Sequence, residues 1–384
     1  MKSFEFHTVP SIEVAWSGAN RLGDIIARRF EARRVFLITD AGLVKAGLIG
    51  PIVDKLKAAG FFVHVFDGVV ADPPEHIIGE SVRLAKEAEC DIVIGLGGGS
   101  SLDIAKLVAV LVASEQPLSE MYGIGNVKGT RLPLILIPTT AGTGSEVTNI
   151  SIITTGETTK MGVVASQLYA DYVLLDAELT IGLPKIHTAA TCIDAMVHAI
   201  EAYTSRHKKN PLSDMLAREA LRLLSKNLIA ACTDGANRDA REALLLGAML
   251  AGQAFANAPV AAVHALAYPL GGHYHIPHGL SNALMLGPVL RFNSGAAATH
   301  YAELADVVEA EGGDDTRTRA EAFVRHMEFL MDRSGAPRRL RDVGVTDNML
   351  AVMASDAMKQ ERLLGNNPID VNEEDALTLY REAF

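Results

Sequence analysis

The stretch 91-DIVIGLGGGSSLDIAKLVAVL-111 decides how the first half of this chain is read. A strand-like run from Asp91 to Leu96 empties into Gly97, Gly98 and Gly99, and a helix-like run follows over 101–114. Strand, glycine loop and helix in that order place backbone N–H groups at a helix start, where they can face an anion. The same alternation surrounds it. On the N-terminal side, 34-RVFLITD-40 and 61-FFVHVFD-67 read as strands, and 45–60 and 75–90 as helices. On the C-terminal side, 132-LPLILIP-138 reads as a further strand. Short apolar runs alternating with amphipathic ones predict a parallel sheet covered by helices on both faces.

From about residue 182 the texture changes. Ala/Leu-rich periodic stretches fill 185–204, 212–232, 239–257, 298–310 and 316–334, punctuated by glycine and proline, without strand signals. The expectation is therefore an α/β dinucleotide-binding domain over 1–181 and an all-helical, metal-binding domain over 182–384. A chain of 384 residues with 49 % hydrophobic content supports two such cores. A net charge of −11 argues against nucleic acid or an anionic membrane as partner. Neither a signal-like apolar start nor an 18-residue apolar run is seen, and the three cysteines (Cys90, Cys192, Cys232) are odd in number and scattered. The expected setting is a reducing, cytoplasmic one.

The glycine loop is not a Rossmann fingerprint, because Ser100 stands where G-x-G-x-x-G, counted from Gly95 and Gly97, needs its last glycine. The Gly-Lys-Ser/Thr of a P-loop is also missing. Three glycines still let a pyrophosphate approach the backbone, with Ser100 or Ser101 capping the helix. A second loop, 138-PTTAGTGSE-146, follows another strand and offers hydroxyls for the same ligand. Asp40, ending a strand, either accepts from a ribose 2′-OH and repels a 2′-phosphate, or caps the next turn.

The second half holds a different chemistry. Asp194 and His198 stand four residues apart on one helical face, about 5–6 Å apart at Cβ, a spacing suited to two ligands of one ion. Farther on, 260-VAAVHALAYPLGGHYHIPHGLSNAL-284 carries His264, His273, His275 and His278. One carboxylate with several imidazoles suits Fe²⁺ or Zn²⁺ rather than Mg²⁺ or Ca²⁺. His187 lies seven residues before Asp194, roughly 10 Å along the helix, too far to share the ion. His264, in an apolar helix where a lone imidazole is costly, and His278, before Gly279, complete the expected set.

Together these motifs resemble the iron-containing (group III) alcohol dehydrogenases. The resemblance spans the chain through GGGSSLDIAK (97–106), PTTAGTGSEVT (138–148), DAMVHAIEAYTS (194–205), the region 264–283 and NPIDVNEEDALTLYREAF (367–384). It implies a dehydroquinate synthase-like architecture: an α/β N-terminal dinucleotide-binding domain plus an all-α C-terminal domain. It also implies NAD (NADP less so), and Fe²⁺ (or Zn²⁺) held by Asp194, His198, His264 and His278. Carried over to matching positions, Gly97, Gly98, Gly99, Ser100 and Asp103 belong to the pyrophosphate loop. Thr139, Thr140, Thr143 and Ser145 belong to the second nucleotide loop. Asp40 falls where relatives with Asp prefer NAD, Asp72 falls where lactaldehyde reductase has Asn, and Lys160 aligns with a lysine by the nicotinamide ribose.

The implied activity is hydride transfer between the nicotinamide and a small primary alcohol or aldehyde, in a homodimer or larger homo-oligomer. One departure matters: where family members read H-A-x-A-H, this chain reads 264-HALAY-268, with Tyr268 in place of a histidine. Tyrosine, with a reference pKa near 10, is a poorer proton relay, so His273 or His275 become candidates beside Tyr268. Phe255, Leu266 and Met249 are candidate apolar walls. Two alternatives are a cousin acting on a carboxylate-bearing substrate, with Arg291, Lys185 or Arg362 as its anchor, and a non-catalytic nucleotide sensor that would not need the metal set.

Overall fold

The computed structural model describes residues 3–156 and 159–384. Its contacts divide the chain into two compact units. One comprises Thr8–Thr140 and Gly144–Gly182, the other Ala141–Thr143, Leu183–Phe384 and the N-terminal segment through His7.

The α/β unit runs β1 (Ile12–Val14), α1 (Leu22–Arg29), β2 (Arg34–Asp40), α2 (Ala41–Lys45), α3 (Ile49–Ala58), β3 (Phe62–Val69), α4 (Glu75–Glu87), β4 (Ile92–Gly97) and α5 (Gly99–Val112). It continues through β5 (Gly123–Ile124), β6 (Leu134–Pro138), β7 (Ile150–Thr155), β8 (Thr159–Val164) and β9 (Tyr172–Leu175). Six strands form an all-parallel sheet in the order β1-β9-β6-β4-β2-β3, and β5, β8 and β7 form a small second sheet. The central strands β4, β6 and β9 are buried along their whole length, as continuous apolar runs in a covered parallel sheet should be. One face packs Leu22, Ile25, Ile26 and Leu56 from α1 and α3 against Val35, Leu37, Ile92, Ile94, Ile135 and Ile137. Each such burial is worth about 1.5–3 kcal/mol.

The sequence expectations for 34–40, 75–90, 91–96 and 132–138 meet these elements within a few residues. The helix expected over 45–60 is met by α3, which starts four residues later, and a separate α2 precedes it. Asp40 accepts from Leu43 N at 3.1 Å and starts α2 early, and Gly47, at φ 77°, breaks the chain before α3. The short strands β1 and β9 and the β7–β8 pair were not expected at all.

The helical unit contains α6 (Lys185–Thr204), α7 (Pro211–Thr233), α8 (Arg238–Asn257), α9 (Ala262–Tyr274), α10 (His278–Asn293), α11 (Ala298–Val307), α12 (Thr316–Ser334), α13 (Leu350–Met358), the short α14 (Glu361–Leu364) and α15 (Glu373–Ala383). Helix α6 is buried over most of its 20 residues and packs on α7, α8 and α10. Asn257, at the end of α8, receives His7 N on its Oδ1 at 2.7 Å and donates to His7 O at 2.8 Å, which ties the N-terminal segment to this unit. Among the described residues no single helix is long and apolar enough to cross a membrane.

Candidate metal centre and nucleotide loops

Three helices of the helical unit bring four side chains together. Asp194 and His198 lie one turn apart on α6, His264 sits in the first turn of α9, and His278 opens α10. One ligand atom from each lies within 4.8 Å of all the others. The Nε2 atoms of His198, His264 and His278 stand 3.9, 3.9 and 3.6 Å from Asp194 Oδ1. Gly279 permits this approach, since a Cβ there would lie 2.8 Å from Ala190 O on α6, too close for α10 to begin beside Asp194. His198 is stacked on Phe255 (centroids 4.3 Å apart) and on His264 (4.7 Å), which fixes its ring plane.

The electrostatics fit a divalent cation. Burial pushes the His198 imidazole down to about 3; Asp194 opposes that shift, His264 and His278 reinforce it, and a Gly142 backbone contact adds a small upward pull. Burial works against the Asp194 carboxylate, but His198, His278, His264 and the Asn282 amide outweigh it and hold the carboxyl below its usual range. A neutral imidazole and an ionised carboxylate are the protonation states that metal binding requires. Asn282, one turn after His278, aims Nδ2 at Asp194 Oδ1 (2.5 Å), His264 Nε2 (3.1 Å) and His278 Nε2 (3.2 Å), while its own buried Oδ1 finds no partner. His198 Nδ1 likewise makes no well-formed hydrogen bond. Four acceptors gathered around one buried point are an arrangement that a cation completes. His187 is exposed, in keeping with a solvated histidine.

In the α/β unit the glycine loop leaves β4 at Gly97 and enters α5 at Gly99, with Gly98 as its N-cap and no side-chain cap. Ser100 and Ser101 therefore fall inside the first turn and do not cap it, which corrects the expectation; the first N–H groups of α5 carry no side-chain oxygen. Thr139 continues from β6 and donates its N–H to Gly97 O at 2.9 Å, and Thr140 lies 3.7 Å from where a Gly98 Cβ would stand. Thr143 falls in the tripeptide that groups with the helical unit. Asp103 and Ser145 bond each other at 2.5 Å. Buried Lys106 Nζ reaches Ser145 Oγ (2.7 Å), Thr148 Oγ1 (3.1 Å) and Ile150 O (2.8 Å), so α5 is bolted to the second loop and to β7. Asp40 caps α2, as the plainer of its two readings has it. Asp72, in a left-handed conformation at φ 50°, pairs with Lys160 at 2.5 Å.

The three proton-relay candidates separate. The Tyr268 ring stands 6.2 Å from the His278 ring, and Tyr268 packs with Phe255 against Val260, Ala265 and Leu363. His273 is engaged by Asp356 at 2.6 Å, linking α9 to α13. His275 is exposed and caps the end of α9 at φ 54°. Leu266 and Met249 are buried. Four residues beside the site escaped the sequence reading: Lys106, Glu146, Glu201 and Asn282. Two had a signal, since Glu201 continues the Asp194–His198 face at i+7 and Asn282 follows His278 at i+4.

Comparison with known proteins agrees with this chemistry. Residues 11–177 match the family described as iron-containing alcohol dehydrogenase, and residues 188–384 match the C-terminal part of the Fe-containing alcohol dehydrogenase family. The chain is 41 % identical to long-chain-alcohol dehydrogenase 1 of Geobacillus thermodenitrificans, over 98 % of this chain and 95 % of that one. It superposes on a 1,3-propanediol oxidoreductase with a TM-score of 0.96 at 33 % identity, covering 100 % of both chains. It superposes on the NAD⁺ complex of sulfoacetaldehyde reductase from Bifidobacterium kashiwanohense with a TM-score of 0.89 at 26 % identity, over 100 % of this chain and 99 % of that one. The fold is thus the dehydroquinate synthase-like one of these enzymes; iron fits both the family and the donor set, and NAD fits the family. The chain belongs to the iron-containing alcohol dehydrogenase family and is an oxidoreductase acting on alcohols.

Proposed function

We propose that this enzyme interconverts a small primary alcohol and its aldehyde with NAD as the preferred hydride carrier. The observation that carries the reading is the buried group of Asp194, His198, His264 and His278. A divalent cation held there, Fe²⁺ by preference, supplies Lewis acidity that lowers the pKa of an alcohol or polarises a carbonyl. NAD, when bound, supplies the hydride acceptor.

The chain's own residues do the rest. The α5 N-terminus, with Gly97, Gly98, Gly99 and Ser100, offers backbone N–H groups to the pyrophosphate. Thr139, Thr140, Thr143 and Ser145 add hydroxyls, and Asp103 and Lys160 bear on the same nucleotide through the contacts they make with Ser145 and Asp72. Asp40 keeps one carboxylate oxygen beyond its cap for a ribose hydroxyl and repels a 2′-phosphate. Phe255 shields the His198 face from water. Tyr268 is the proton-relay candidate nearest the metal group, holding the substrate oxygen by its phenol and passing protons through water; His273 and His275 are occupied or exposed.

The carboxylate-substrate alternative loses support, because Arg291 is already paired with Glu328 and Glu382, while Lys185 and Arg362 are exposed. The three free, buried cysteines suit a reducing cytoplasm. The test is a panel of alcohols and aldehydes of graded length and charge, with NAD(H) and NADP(H), on protein loaded with Fe²⁺ or Zn²⁺. Metal-dependent turnover of uncharged primary alcohols with NAD is expected. Turnover restricted to carboxylate-bearing substrates, or unaffected by chelation, would overturn the reading.

A further inference from the structure

Glu201 has no part in the chemistry above, yet its carboxylate is among the most fully used in the helical unit. It is 4 % exposed. Oε1 accepts from Val263 N at 2.7 Å, and Oε2 accepts from Ala261 N at 2.9 Å and meets His264 Nδ1 at 2.6 Å. Two of these contacts cap α9, whose own N-cap residue, Ala261, has no side-chain oxygen to offer. The third does something else. Both carboxylate oxygens already accept backbone N–H groups, so Oε2 faces the ring as an acceptor, His264 Nδ1–H donates to it, and Nε2 is the ring nitrogen turned toward the group. That Nε2 is the atom 3.9 Å from Asp194 Oδ1.

We propose that Glu201 is a positioning residue that sets the tautomer and ring orientation of His264, and through them the affinity of the four-residue group for a divalent cation. The proposal rests on the metal reading of that group. Asp194, His198 and Glu201 follow one another at i, i+4 and i+7 along α6. One rigid helix face thus supplies two metal donors and the partner that orients a third. The neighbouring imidazole is held differently: His198 Nδ1 has no well-formed hydrogen bond, and its ring is fixed by stacking on Phe255.

The experiment compares Zn²⁺ affinity, by chelator competition, in the wild type, Glu201→Gln, His264→Ala and the double variant. Glutamine keeps the size of Glu201 and can still accept from Val263 N–H, but its amide nitrogen cannot accept from His264. Glu201→Gln is expected to weaken Zn²⁺ binding by about 10–100-fold. In the His264→Ala background it should weaken binding no further. ¹⁵N-histidine spectra of the metal-free variant should show His264 leaving the Nδ1–H tautomer. Wild-type affinity in Glu201→Gln, or an equal loss in both backgrounds, overturns the proposal, the latter reducing Glu201 to a helix cap. Should Glu201→Gln fail to fold, Glu201→Asp replaces it, with a loss in the same direction expected and unchanged affinity overturning the proposal. If His264→Ala itself leaves Zn²⁺ binding intact, the metal reading fails and takes the Glu201 assignment with it. If His264→Ala weakens binding and Glu201→Gln does not, only the Glu201 assignment falls.

Discussion

On the function proposed above, the metal group and the glycine loop hold their ligands by opposite means. The first gathers four ionisable side chains from three helices, spread over 194–278, and buries three of them. The second is a contiguous turn that offers backbone N–H groups at the start of α5, where side chains are small or lacking. A donor set of side chains should fail completely when one donor goes, because no neighbour can replace it. A backbone cradle should respond to shape: it tolerates changes of chemistry that leave its space open and rejects added atoms.

The strongest test removes a donor. His264→Ala is expected to lower turnover roughly a thousandfold, about 4 kcal/mol in the barrier, and to lose bound metal by elemental analysis. NADH binding, followed by fluorescence, should stay within a fewfold of wild type; collapse of both would erase the contrast between the regions.

Next comes a pH test of the α/β unit. Burial raises the Glu146 carboxyl to about 7, its own backbone hydrogen bond and Lys106 pulling weakly the other way. The folded value lies above the unfolded one, so the protonated acid contributes stability below about pH 4.5 that is lost as pH rises through 7. Between those limits wild-type stability should fall by about 3 kcal/mol, a slope which Glu146→Gln removes. Thermal melts from pH 5 to 8 read it, and identical slopes in both proteins would contradict it.

Smaller still is a glycine pair. A Cβ at Gly95 would lie 2.7 Å from both Ala105 Cβ and Leu136 Cδ2, whereas at Gly98 nothing is nearer than 3.7 Å. Gly95→Ala should destabilise the fold by about 1–3 kcal/mol through overpacking. Gly98→Ala should leave stability within about 1 kcal/mol and weaken NADH about tenfold, because the space it fills is the ligand's. Unchanged NADH affinity in Gly98→Ala would remove the pyrophosphate from this loop. The smallest effect concerns Asp40. Serine preserves the cap on α2, so Asp40→Ser should melt like wild type while gaining about tenfold in NADP use relative to NAD, about 1.4 kcal/mol. An unaltered cofactor ratio would leave Asp40 with its cap alone.

The two regions were also unequally legible. Helices α6 and α12 stand where periodicity alone put them, and α6 carries Asp194 and His198 on one face as spacing required. The triple glycine announced itself because few sequences need three between a buried strand and a helix. What stayed hidden depended on partners far along the chain. Strands β1 and β9 are three and four residues long, too short to show a period, and become strands only by pairing with each other and with β6. The Lys106 network required knowing that β7 lies against α5. Glu201 was visible as an i+7 echo of Asp194, but its role depends on the start of α9, about 60 residues away.

The hydrogen bonds between His7 and Asn257, and the grouping of 141–143 with the helices, bear on how the gene could be divided. A break placed between 182 and 183, one residue past the visible change of texture, would separate the helical unit from two short pieces of itself encoded upstream. Residues 183–384 expressed alone would therefore present Asn257 without its N-terminal partner. A split version built for fragment complementation should recover more protein when 3–7 is fused ahead of residue 183 than when the cut simply follows the change in sequence texture.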